Sequence, residues 1–143
     1  MYQNILMAYN GTVEGRAALL ASEKLADFAD RQLHLLAVAS MPSSMFLTEG
    51  FVPEELIDTE KTRMQAILDE GLAVLKGRHL RCTGHLAVGE PVEEIARLAR
   101  ELRCDLIVVG HKRSAGWARW WQGSISRNLV DHAPCSVLIT PCE

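Results

Sequence analysis

Leu106-Ile107-Val108-Val109-Gly110, with Gly123-Ser124-Ile125-Ser126 beyond it, is the stretch on which the reading of this chain turns. An apolar run that ends in glycine predicts a buried strand and the turn that leaves it. Gly123-Ser124 then opens a helix expected from Ser124 to about His132, so backbone N–H groups and the hydroxyls of Ser124 and Ser126 gather at a helix N-terminus. An anion is stabilised there because unpaired N–H groups and the helix dipole both present partial positive charge. Between Gly110 and Ser126 the chain also places Lys112, Arg113 and Arg119, with Arg127 just beyond, and no carboxylate. Strand, glycine, basic loop and Gly-Ser helix start together describe how an α/β domain holds a phosphate.

Working outward, Ile5 to Tyr9 reads as a short buried strand, and Asn10-Gly11-Thr12 as a turn with Thr12 as the N-cap of a helix. Ala18, Ala21, Leu25 and Phe28 recur at spacings of three and four and give that helix its apolar face. A second strand is expected over Leu33 to Ala39. Met41 to Pro53 is a loop made apolar by Met45, Phe46, Leu47 and Phe51, and is expected to fold back on the core. A long helix follows from about Glu54 to Lys76, then a strand within Leu80 to Val88. Gly89-Glu90-Pro91 leads a helix through Ile95, Leu98, Ala99 and Leu102. Asp105 to Val109 is the fourth strand and Ser136 to Thr140 the fifth.

Strands alternating with helices over the whole length predict an α/β fold: one domain, residues 1–143, built on a doubly wound five-stranded parallel sheet. Right-handed crossovers in a Rossmann-like order 3-2-1-4-5 set strand 1 beside strand 4, where the winding reverses and ligands bind. The segments leaving those two strands are Asn10-Gly11-Thr12 and the basic stretch from Gly110. Topology and residue chemistry thus select one crevice independently.

Composition narrows the rest. At 143 residues and net charge −3 the chain is expected to bind neither nucleic acid nor anionic lipid, which reward a broadly basic surface. It has no apolar stretch near the ~20 residues of a membrane helix, and Met1-Tyr2-Gln3-Asn4 is unlike a signal peptide, so a cytoplasmic location is expected. Cys82, Cys104, Cys135 and Cys142 form no Cys-x-x-Cys pair, so no disulfide framework is implied. His79-x2-Cys82-x2-His85 has the look of a metal motif, but in a strand Cys82 faces away from both histidines, which lie about 20 Å apart. No metal site is expected. Glu54-Glu55 and Glu93-Glu94 diverge on a helix, no nucleophile-base-acid set is visible, and no Gly-x4-Gly-Lys-Ser/Thr run occurs. No catalytic residue is therefore assigned, and the chain reads as no enzyme, with slow ATP hydrolysis or phosphotransfer as the weakest alternative. Trp117, Trp120 and Trp121 share a face at helical spacing; core or dimer packing, a docking patch for a protein partner and base stacking are its uses, in that order.

The chain resembles the universal stress protein family from end to end. The first strand and its Asn10-Gly11-Thr12 turn are similar to the family's strand ending in Asp-Gly-Ser. Gly89-x-Pro91, Cys104-Asp105-Leu106-Ile107-Val108-Val109-Gly110 and the closing His132-Ala133-Pro134-Cys135-Ser136-Val137-Leu138-Ile139 match in order and spacing. ATP-binding members carry Gly-x2-Gly-x9-Gly-Ser/Thr; here Gly110 and Gly123-Ser124 fit, the spacing is kept, and the middle glycine is Arg113. The resemblance implies an adenine nucleotide alpha hydrolase-like fold holding ATP or AMP as a sensor or regulator. Implied contacts are Ala8, Tyr9, Asn10, Gly11 and Thr12 after strand 1, Val38 through its backbone, and Gly110, His111, Arg113, Gly123, Ser124, Ile125 and Ser126. It also implies a homodimer through the last strand, 136–140. Two departures have consequences. Arg113 either narrows the phosphate site, giving a nucleotide-free interaction protein, or closes over the phosphates with a charged bidentate contact. Asn10 replaces an aspartate and removes a charge that would help hold Mg²⁺.

Overall fold

A computed structural model describes residues 2–25, 31–40, 54–112 and 125–142. Its elements are β1 (Asn4–Ala8), α1 (Val13–Leu25), β2 (Gln32–Ser40), α2 (Glu54–Gly77), β3 (Cys82–Gly89), α3 (Pro91–Glu101), β4 (Leu106–Lys112), α4 (Ile125–His132) and β5 (Ser136–Cys142). All strands are parallel, in the order β3-β2-β1-β4-β5 that the sequence predicts.

Each strand alternates its side chains between two faces, and each face has its own core. Ile5 and Met7 of β1, Leu33, Leu35 and Ala37 of β2 and Val108 of β4 pack against Ala18 and Leu19 of α1 and Met64, Leu68 and Leu75 of α2. Leu6, Leu36, Ile107 and Val109 on the opposite face pack against Val92, Ile95, Leu98 and Ala99 of α3 and Leu129 of α4. Burial on both faces is why β1 and β4 read as unbroken apolar runs rather than alternating ones. Local signals hold the helix ends. Thr12 precedes α1 and its Oγ1 accepts from the Gly15 N–H at 3.1 Å. Glu90 caps α3 by accepting from the Glu93 N–H at 3.1 Å, with Pro91 in the first turn.

Four sequence expectations shift. β1 ends at Ala8, one residue early, because Tyr9 keeps only its N–H in the ladder, donating to the Leu36 carbonyl at 2.9 Å. β4 does not stop at Val109: Gly110, His111 and Lys112 stay in the strand, paired with Thr140, Pro141 and Cys142. Cross-strand pairing overrides the low strand propensity of glycine there. β5 therefore runs past Thr140, where the sequence reading ends it, and carries Pro141. Leu19, absent from the expected apolar face of α1, is fully buried beside Ala18. The loop from Met41 to Pro53, Phe28 and the three tryptophans lie outside the described residues.

Candidate functional site

β1 is the shortest strand of the sheet, and its two neighbours outrun it at the carboxyl end. The β1–β2 register ends at Ala8↔Leu36 while β2 continues with β3 to Ser40↔Gly89. The β1–β4 register ends at Met7↔Val108 while β4 continues with β5 to Lys112↔Cys142. Beyond Ala8 a gap therefore opens between β2 and β4, two strand spacings or about 10 Å across. It lies at the reversal of winding that the sequence singled out.

The register also fixes which backbone groups line it. Gln32 N–H donates to the Gln3 carbonyl and the Leu36 carbonyl accepts from Tyr9, both at 2.9 Å, so the even-numbered residues of β2 turn their amides toward β1. Val38 is the next of these, with β1 already gone. Parallel strands repeat by translation, so residues whose side chains share a face turn their amides to the same side. Tyr9 shares its cluster with Leu106 and Val108 and directs its N–H toward β2. Leu106 and Val108 accordingly face β1, and alternation carries that direction to Gly110. The amides of Val38 and Gly110 thus point into the gap from opposite walls.

The turn at its floor is tied down by its own side chains. Asn10 Oδ1 accepts from the Thr12 N–H at 3.2 Å and from Thr12 Oγ1–H at 2.5 Å. Gly11 has φ 82°, and a Cβ there would come 3.3 Å from Ile67 of α2, so this position favours glycine for conformation and for space. Tyr9 is 2 % exposed and sends its ring away from the gap into the α1–α2 core, clasped between Gly15 and Gly71. A Cβ on Gly71 would lie 2.8 Å from that ring. The phenol donates to Glu70 Oε1 at 3.1 Å, and Glu70 is ion-paired with Arg16 of α1. Of Tyr9, then, the backbone alone borders the site. Sequence reading missed Glu70 and Arg16 as its anchors; they lie 61 and 54 residues from their partners in the chain, with no local signal to join them.

Ala8 and Gly110 are half-buried, Val38 is half-buried, Asn10 and Gly11 are exposed, and Thr12 is half-buried at the floor. His111 is in β4, and Ile125 and Ser126 form the first turn of α4. Arg113, Gly123 and Ser124 lie outside the described residues, as do Arg119 and the tryptophans. His79 does not belong to a strand, as the metal-motif argument assumed; it sits in the turn after α2 at φ 62°. Among the described residues no three His, Cys, Asp or Glu side chains converge as a metal site would require. Burial pushes the Cys82 thiol up to about 12 and the Cys104 thiol up to about 11, so both stay protonated and unreactive.

The sequence model described as the universal stress protein family matches residues 1–141. Universal stress protein YxiE of Bacillus subtilis is 30% identical, over 97% of this chain and 99% of its own length. A universal stress protein family structure from Burkholderia pseudomallei superposes with a TM-score of 0.75 at 29% identity, covering 99% of this chain and 97% of that one. A universal stress protein family protein from Arabidopsis thaliana, solved with AMP bound, gives 0.71 at 16% identity, covering 99% and 92%. With its whole described sheet, its winding and its end-to-end sequence match in agreement, the chain belongs to the universal stress protein family.

Proposed function

We propose that this protein binds an adenine nucleotide, ATP or AMP, in the gap beyond β1 and acts as a sensor or regulator rather than a catalyst. The observation that supports this reading is the convergence of the Val38 and Gly110 amides on a space that β1 leaves open. Backbone N–H and C=O at Val38 match the edge of a purine without regard to the side chain, and an N–H at Gly110 suits a phosphate oxygen. Asn10, Gly11 and Thr12 border the ribose; Ala8 and Tyr9 contribute main chain. His111, Arg113, Gly123, Ser124, Ile125 and Ser126 complete the phosphate end. AMP in the Arabidopsis relative is in keeping with this assignment.

The proposal extends to one domain over residues 1–143, a cytoplasmic location and a homodimer through β5, an edge strand whose Leu138 and Ile139 are each 37% exposed. Trp117, Trp120 and Trp121 are the candidate contact for a protein partner. A Mg²⁺ ion carried in on the nucleotide phosphates would find no carboxylate at the ribose end, where the residue is Asn10. The test is native mass spectrometry of untreated protein together with thermal unfolding in ATP and AMP. Saturation at a hundredfold excess over Kd adds about 2.7 kcal/mol to stability, and no response to any adenine nucleotide overturns the reading. Arg113→Gly separates the two roles of that residue. Weaker binding marks Arg113 as a phosphate ligand; binding that appears in the variant alone marks it as an occluding side chain and favours the nucleotide-free interaction protein.

A further inference from the structure

On the sheet face covered by α3, His34 of β2 and His85 of β3 meet across the strand pair. His34 Nδ1 lies 3.0 Å from His85 Nε2, with ring centroids 5.1 Å apart and planes inclined by 41°. They are diagonal neighbours: His34 stands opposite Thr83, and Leu36 opposite His85. His34 is 9% exposed, and its other nitrogen, Nε2, is buried with no hydrogen-bond partner among the described residues. A bond between two imidazoles needs one N–H and one bare nitrogen, and two neutral rings supply both. A first added proton places charge among apolar side chains. A second sets two N–H groups head to head with two positive charges on rings in contact.

We infer that His34 and His85 form an acid-sensitive latch on the β2–β3 edge, closed while both rings are neutral and released by proton uptake. Among the described residues no carboxylate is bonded to or ion-paired with either ring. From β2 and β3 the same face presents Leu36, Val38, Thr83 and Ala87; from α3 it presents Val92, Ile95, Leu98 and Ala99. The charged residues of α3 engage one another or look outward: Arg97 pairs with Glu94 and Glu101, Arg100 donates to the His132 carbonyl, and Glu93 is exposed. Arg81, just before β3, and Gln32, at the start of β2, are exposed. Burial lowers the proton affinity of both rings, and for His34 the charge of His85 lowers it further.

The sign follows from linkage. With folded values below the ordinary 6.5, the unfolded chain binds protons first as pH falls. The latch contributes its full stability above pH 6.5 and loses it as pH drops toward the folded values. β3 is an edge strand held on one side by β2, so its pairing is what acid loosens, and Val38 pairs with Ala87 on that same ladder. The device is independent of whether a nucleotide occupies the gap.

The experiment is thermal unfolding of the full chain from pH 8 to pH 5, with NMR titration of the imidazole C–H signals. His85→Gln keeps an amide group for His34 to bond but cannot titrate, and His79→Gln is the control at an exposed ring. Wild type and His79→Gln are expected to lose several degrees more in Tm over that interval than His85→Gln, with two rings titrating below 6.5. Equal slopes in wild type and His85→Gln overturn the inference. If His85→Gln does not fold, the wild-type NMR titration decides alone: His34 and His85 both titrating at 6.5 or above would overturn it.

Discussion

The two ends of β1 are treated in opposite ways. At its start every backbone group is captured: the Asp105 carboxylate accepts the N–H groups of Gln3 and Asn4 at 2.9 and 3.0 Å, and Asp105 N–H returns to the Asn4 carbonyl at 2.9 Å. The Asn4 amide nitrogen donates to the Leu102 and Arg103 carbonyls at 2.5 and 3.3 Å. At its finish, four residues on, the strand stops while β2 and β4 continue, paired only with β3 and β5 among the described residues. Buried backbone polar groups are nearly always satisfied, so the open end is where the proposed nucleotide would meet main-chain partners. The same residue type shows the contrast: Asn4 joins the loop before β4 to β1, while Asn10 merely shapes its own turn.

The largest way to break this contrast is to remove what positions the open end. Tyr9→Ala leaves a void between Gly15, Gly71 and Leu35 and is expected to cost about 4 kcal/mol in chemical denaturation, taking nucleotide stabilisation with it. Tyr9→Phe, which loses only the bond to Glu70, costs about 1 kcal/mol and leaves binding in place, since the phenol points away from the gap. At the stapled end, Asp105→Ala removes the acceptor of two strand amides. It costs about 2 kcal/mol in the same assay, yet the increment in Tm on adding AMP stays as in wild type. A variant at Asp105 that loses AMP stabilisation while still folded would show that the two ends are not separable. Thr12→Ala comes next, at about 1 kcal/mol, because it removes the N-cap of α1.

Much of this was legible in the sequence, and what was not depends on register. Runs such as Leu106 to Val109 and the Thr12 and Glu90-Pro91 helix starts gave the elements and their order, because burial and capping are local signals. The gap was located from topology, but not the reason it exists. That reason is the premature end of β1 relative to Leu36 and Val108, and no residue in Ala8-Tyr9-Asn10 announces it. From sequence Gly110 reads as a strand terminator, because its pairing with Thr140 is set by a strand 30 residues away. His85 has His79 and Cys82 as its neighbours in sequence, while its partner His34 stands across a strand pair 51 residues away. Side-chain networks that bridge elements, such as Tyr9–Glu70–Arg16, carry no periodicity and leave no local trace.

The smallest expected effect is the sharpest on chemistry. The family resemblance implies an aspartate where this chain has Asn10, and the turn can accept either residue. What Asn10 supplies to the fold is one acceptor oxygen, bonded to the Thr12 N–H and Thr12 Oγ1–H, and a carboxylate supplies the same oxygen. Asn10→Asp therefore keeps both bonds and adds a negative charge beside the first turn of α1. There the helix dipole favours it by about 0.5 kcal/mol, seen as a small rise in the Tm of the ligand-free protein. The amide nitrogen is lost in the same step, and with it a donor that the proposed nucleotide could use. AMP stabilisation should then fall slightly without Mg²⁺ and recover with it, because the new carboxylate prefers a cation between itself and a phosphate. A response to Mg²⁺ already present in the wild type, equal to that of the variant, would mean that the cation finds its oxygen ligands elsewhere and that residue 10 does not face the nucleotide.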